Sequence, residues 1–213
     1  MKFQRARNQK QIDQRKKEIT AACKQIYIAE GYDSITMEKI SQFTSMSRSS
    51  IYNYYTTKEE IILELLAECC LEFEDILKKI FDSRNNMTKE EFCELFATEL
   101  NKQSLFLSLN TVHFITLTLD KNCSQEMLDE FKIKIKPLFD TIHNGVKKFF
   151  PNVSDEQKHE FIFFIFAMVN GIYPMTHLTE KQHKALAKAI PDYKTPDFYK
   201  IFKKGMLALM HGF

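Results

Sequence analysis

From residue 47 to residue 58 the chain reads Ser-Arg-Ser-Ser-Ile-Tyr-Asn-Tyr-Tyr-Thr-Thr-Lys, and most of these side chains end in a hydrogen-bond donor or acceptor. On a helix opening at Arg48, only Ile51 and Tyr55, spaced i and i+4, form an inward face. Arg48, Ser49, Ser50, Tyr52, Asn53 and Tyr54 are left outside, an inventory suited to base edges and phosphate oxygens. Arg48 fits either a bidentate contact with guanine or a plain phosphate contact, and its position does not choose between them. Tyr52 and Tyr54, one residue apart, cannot both face one core on a helix, so at least one of them points outward.

The neighbouring segments look built to hold this surface. Thr36 precedes the apolar positions Met37 and Ile40 and reads as the N-cap of a short helix, while Ser47 does the same for the polar helix three residues ahead of Ser50. Two short helices joined tightly make a helix-turn-helix, which implies double-stranded DNA as partner. Ahead of them a helix is expected over residues 11–30, with Ile19, Ala22, Cys23 and Ile26 on one face and Gly31 as its stop. Lys2, Arg5, Arg7 and Lys10 form a basic arm before that helix.

Behind the polar helix, Thr57-Lys-Glu-Glu60 reads as a capping box opening a long helix to about residue 81. Its apolar positions Ile62, Leu65, Leu66, Cys69, Phe73, Ile76, Leu77 and Ile80 keep three-four spacing, which makes it a rigid lever and not a loose linker. Further helices are expected over residues 88–108, 112–119, 124–150 with a kink at Pro137, 154–175, 180–190 and 196–211. The chain therefore reads as all-α: a helix-turn-helix domain over residues 1–57, joined by the long helix to a helical ligand-binding and dimerisation domain over 58–213. Only five Gly and five Pro in 213 residues agree with that reading.

Charge is uneven. Residues 1–58 carry a net charge of +6 and the remainder −4, so the basic end is the helix-turn-helix end. Residues 161–169, the longest apolar run, are too few to span a bilayer, and no signal-peptide pattern opens the chain, so a cytoplasmic protein without a membrane partner is expected. The five cysteines show no C-x-x-C pair and no histidine at ligand spacing, which supports neither a disulfide framework nor zinc; no metal and no cofactor is expected. An enzyme using a cysteine such as Cys123 would need a base near that thiol, and none is visible, nor is a Gly-rich phosphate loop.

The segment 161–169 is apolar on every side, so its helix must be covered all round, by its own domain and by a second copy of the chain. Within the apolar second half a few polar side chains stand out, and buried polar groups need partners. Asn110, His113, Asn170, Tyr173 and His177, with Phe114 and Phe166 on the same helices, are the candidate lining of a small-molecule site for a hydrophobic or aromatic effector. The same polar groups could instead satisfy one another.

Gly31, Ile35-Thr36-Met37, Ile40, Met46-Ser47, Ile51-Tyr52, Tyr55 and Thr57-Lys58-Glu59 together make the chain resemble the TetR family of bacterial transcriptional regulators over residues 19–66. The resemblance implies a homodimer with a ligand cavity in its second domain, in which ligand binding changes the spacing of two recognition helices on an inverted-repeat operator. It implies phosphate contacts for Thr36, Tyr52 and Lys58, the last aided by the N-terminus of the long helix. It implies a major-groove face made of Ser47, Arg48, Ser49, Asn53 and Tyr54. It also leaves a regulator of the same fold that works without a small effector, through a protein partner or in chromosome organisation. Where the family has small residues or glycine, this chain has Ser41, Thr44, Ser45 and Ser49, and the hydroxyl of Ser49 is expected to make a contact that glycine cannot.

Overall fold

In the computed structural model, residues 9–116 and 118–212 are described, apart from the side chains of 114–116, 118 and 120. Every regular element among them is helical: α1 (Gln9–Glu30), a 3₁₀ turn (Tyr32–Ser34), α2 (Met37–Gln42), α3 (Arg48–Ile51), α4 (Lys58–Asp82), α5 (Lys89–Asn101), α6 (Ser104–Thr116), α7 (Thr118–Asn122), α8 (Gln125–Phe149), α9 (Asp155–Thr176), α10 (Glu180–Ala189) and α11 (Phe198–His211). No single described helix is long and apolar enough to cross a membrane. The chain forms two compact units. One runs to Glu68 and takes in Thr116–Ile133; the other comprises Cys69–Ile115 and Lys134–Phe213, so the division falls inside α4 and α8.

The first unit is built on the apolar faces of α1 to α4. Ile19, Cys23 and Ile26 of α1, Ile35, Ile40 of α2, Ile51 of α3 and Ile62 of α4 are buried, as are Tyr55 and Leu119. Helix α3 has only four regular residues, yet Tyr54 and Tyr55 both donate backbone N–H bonds to the Ile51 carbonyl, which carries the turn on and brings Tyr55 inward. The box at the start of α4 forms with a shift. Glu60 N–H donates to Thr57 Oγ1 at 3.3 Å, but the Glu60 carboxylate reaches back to the Thr56 amide at 2.6 Å, one residue earlier than a regular capping box.

The second unit is a phenylalanine core. Phe73 meets Phe96 edge-on at 5.6 Å, Phe81 stacks on Phe92 at 5.4 Å, and Phe96 stacks on Phe202 at 6.4 Å. Gly145 of α8 is required where α8 crosses the end of α4, because a Cβ there would lie 2.5 Å from the Phe81 ring. Lys148, one turn on, donates to the Phe81 carbonyl at 2.7 Å and serves the exposed C-terminal end of α4.

Two expected helices need correction. The one placed over 88–108 is broken: α5 ends at Asn101, and Lys102 and Gln103 close it with bonds to Glu99 and Leu100 before α6 begins. The one placed from 112 instead begins at Ser104, and α7 follows as a separate short turn. Thr88 and Ser154 form full capping boxes with Glu91 and Gln157, as their spacing predicts.

Candidate nucleic-acid interface

The surface of α2 and α3 follows from their caps. Thr36 Oγ1 accepts from Lys39 N–H at 3.1 Å and Ser47 Oγ from Ser50 N–H at 3.2 Å, so both hydroxyls sit at helix N-termini where unpaired amides already favour an anion. Ser47 also contacts the hydroxyls of Ser49 at 3.0 Å and Ser50 at 2.9 Å. Arg48, Ser49, Tyr52 and Asn53 are exposed beside it, and Tyr54 is half-buried. The Arg48 guanidinium lies 5.9 Å from the centre of the Tyr52 ring, which braces it.

An open groove of about 500 Å³ runs between the start of α2, α3 and the start of α4, lined by Ile35, Thr36, Met37, Glu38, Arg48, Tyr52, Thr56, Thr57, Lys58 and Glu59. Thr36, Arg48, Tyr52 and Lys58, separate in sequence, thus share one wall system, while Ser47, Ser49 and Asn53 lie exposed along α3. Of the basic arm, Lys10 is exposed on α1, and Lys2, Arg5 and Arg7 lie outside the described residues.

Two sets of contacts behind this surface have no local spacing rule to announce them. The tight turn between α2 and α3 is tied to α1: Ser45 N–H donates to Glu18 at 2.5 Å, Arg15 donates to Ser45 Oγ at 2.7 Å, and Arg15 pairs with Glu18 at 2.8 Å. Burial tends to raise the Glu18 carboxyl, but the Ser45 amide and hydroxyl and the Arg15 charge outweigh it and hold the group below its ordinary value. The second set lies at α4, where the Tyr32 hydroxyl donates to Glu59 at 3.0 Å and the Lys58 ammonium rests 4.4 Å from the centre of the Tyr32 ring. Burial first, and then the Glu59 charge, raises the Tyr32 phenol, so it stays protonated and remains the donor. Thr57, the cap of α4, also donates to the Asn122 carbonyl at 3.0 Å.

In the second unit the candidate ligand residues fall into separate groups. Asn110 and His113 are buried on α6, and Asn110 donates to Asn170 of α9 at 2.6 Å. Tyr173 stacks on His177 at 4.0 Å and meets Phe198 edge-on at 5.5 Å, while its hydroxyl reaches the Ser104 carbonyl at 3.4 Å. Phe166 stacks on Phe139 at 4.6 Å. The side chain of Phe114 lies outside the described residues. A recess of about 140 Å³ between α4 and α8, lined by Lys78, Phe81, Asp82, Thr141, Asn144, Gly145 and Lys148, shares none of these residues and is small for an organic ligand. Among the described residues no group of three or more His, Cys, Asp or Glu side chains is arranged to hold a metal ion.

This architecture has relatives. The family model described as bacterial regulatory proteins, tetR family, matches residues 19–65, and that of the tetracyclin repressor-like C-terminal domain matches residues 64–213. IcaR of Staphylococcus epidermidis, the HTH-type negative transcriptional regulator of the biofilm operon icaADBC, is 23% identical over 159 residues, covering 73% of this chain and 80% of that protein. A TetR/AcrR-family transcriptional regulator from Thermobifida fusca superposes with a TM-score of 0.61 at 13% identity, over 94% of this chain and 98% of that one. FadR of Thermus thermophilus, a TetR-family repressor solved with lauroyl-CoA, superposes with a TM-score of 0.60 at 15% identity, over 92% and 94%. With one family covering the helix-turn-helix and the helical remainder alike, the chain belongs to the TetR family of bacterial transcriptional regulators.

Proposed function

We propose that the protein is a homodimeric repressor that grips an inverted-repeat operator through α3 and the groove beside it, and lets go when a small hydrophobic or aromatic effector binds its second unit. The observation that carries the first half is the groove itself, where the Thr36 hydroxyl, the Arg48 guanidinium, the Tyr52 ring and the Lys58 ammonium converge. Phosphate oxygens suit the Thr36 hydroxyl and the Lys58 ammonium, Ser49 and Asn53 are left to meet base edges, and Arg48 fits either. The negative regulation exerted by IcaR supports the repressor sense.

Support for release by a ligand is the buried Asn110 and His113 of α6, with the half-buried Asn170 and Tyr173 of α9, in an otherwise aromatic core, together with the lauroyl-CoA bound by FadR of Thermus thermophilus. Support for dimerisation is the outer face of α9, where Phe163 is 70% exposed, Phe164 42% and Met175 67% in the single chain. Ligand and operator would then prefer different separations of the two helix-turn-helix units, each weakening the other by the same factor.

A second reading has its own support. Asn110 donates to Asn170, so part of the polar set is spent on itself, which favours a regulator of this fold that works without a small effector. Operators selected from random DNA, followed by titration with acyl and aromatic compounds, separate the two. Release by one such compound supports the first, and unchanged operator affinity across the set supports the second. Binding that shows no inverted repeat and no fall with added salt would refute both.

A further inference from the structure

Lys58 is followed at once by two glutamates, Glu59 and Glu60, and its ammonium should be drawn to them and lost to DNA. Neither takes it. Glu60 is occupied by the Thr56 amide at 2.6 Å, and Glu59, only 7% exposed, accepts the Tyr32 hydroxyl at 3.0 Å. Lys58 makes no ion pair among the described residues; its ammonium lies on the Tyr32 ring, 4.4 Å from the centre, on the wall of the groove. A cation on a ring face keeps its N–H donors while losing much of its freedom to swing away. The bond from the phenol to a carboxylate also enriches the ring in electron density, which strengthens its hold on the cation.

We propose that Tyr32 is a positioning residue for operator binding: its ring holds the Lys58 ammonium at the groove wall, and its hydroxyl keeps Glu59 from neutralising that ammonium. The proposal rests on Lys58 contacting phosphate. Tyr32 owes its place to the backbone before it, since Gly31 at φ 81° and ψ −178° turns the chain from the end of α1 back towards the start of α4. No spacing motif links Tyr32 to Glu59, 27 residues away.

The test is a double-mutant cycle on the full-length protein, with operator affinity measured against salt concentration for Tyr32→Leu and Tyr32→Phe, each with Lys58 intact and with Lys58→Gln. Tyr32→Leu should weaken binding about tenfold with Lys58 present and less than about twofold in the Lys58→Gln background. Tyr32→Phe, which keeps the ring but frees Glu59, should lose about threefold, and Glu59→Gln should restore more affinity in that background than in the parent protein. Lys58→Gln alone should lower the salt slope by about one. Equal losses in both Lys58 backgrounds would overturn the positioning role and leave the phosphate contact standing. Lys58→Gln without effect on affinity or slope would overturn the phosphate contact and the proposal with it. Should Tyr32→Leu fail to fold, the Tyr32→Phe cycle and the Glu59→Gln comparison decide the matter alone.

Discussion

Replacing Gly31 by alanine should destabilise the first unit through its backbone and nothing else. Gly31 has φ 81° and ψ −178°, a region that side-chain-bearing residues avoid at a cost of about 1–3 kcal/mol. A Cβ built there meets no atom within 4 Å, so no steric clash adds to that figure. Alanine also stiffens the unfolded chain, which returns about 0.4–1 kcal/mol, and the net expectation is a loss of about 1–2 kcal/mol. The assay is urea unfolding at equilibrium, read as a lower midpoint at unchanged slope. Asparagine sharpens the test. It tolerates the left-handed helical region but not this extended positive-φ region, so Gly31→Asn should lose about as much as Gly31→Ala. A change below about 0.5 kcal/mol for alanine, or full tolerance of asparagine, would refute the assignment of strain to this backbone geometry.

Four other perturbations follow from the same structure. Ser47→Ala removes the acceptor for Ser50 N–H and should cost about 1 kcal/mol in denaturant unfolding. Tyr55→Phe deletes a buried hydroxyl with no hydrogen-bond partner among the described residues while leaving the ring over which Lys16 lies, so its unfolding midpoint should stay level or rise. Glu18 is held below its ordinary value in the folded state, so its contribution to stability is present above the unfolded carboxylate range and fades as pH falls through the folded value; Glu18→Gln should flatten the acid end of a stability-against-pH curve. Phe163→Glu puts a charge on the exposed face of α9 and should shift sedimentation from the proposed dimer towards monomer without loss of helix by circular dichroism; a dimer left unchanged would refute this face as the interface.

What the sequence discloses depends on how far apart the interacting groups lie along the chain. Caps and helix faces work over three or four residues, so Thr36, Ser47, Thr88 and Ser154 could be recognised from local pattern, and each accepts the amide bond its position implies. The break between α5 and α6 lies at Lys102–Gln103, where neither Gly nor Pro marks it, and the apolar spacing runs on through it. Contacts such as Asn110 with Asn170, 60 residues apart, or Tyr32 with Glu59 obey no periodicity, and only the packed helices bring them together. Ser45 shows how this bears on function. Against the family's habit of glycine it reads as a cost at the tight turn, yet its amide is taken by Glu18 and its hydroxyl by Arg15, both on α1. Glycine could keep the first bond but not the second. The serine therefore couples the turn before α3 to the helix bearing Lys10 and Lys16, and a substitution there should alter how the proposed DNA-reading face of α3 is presented without touching a single residue of it.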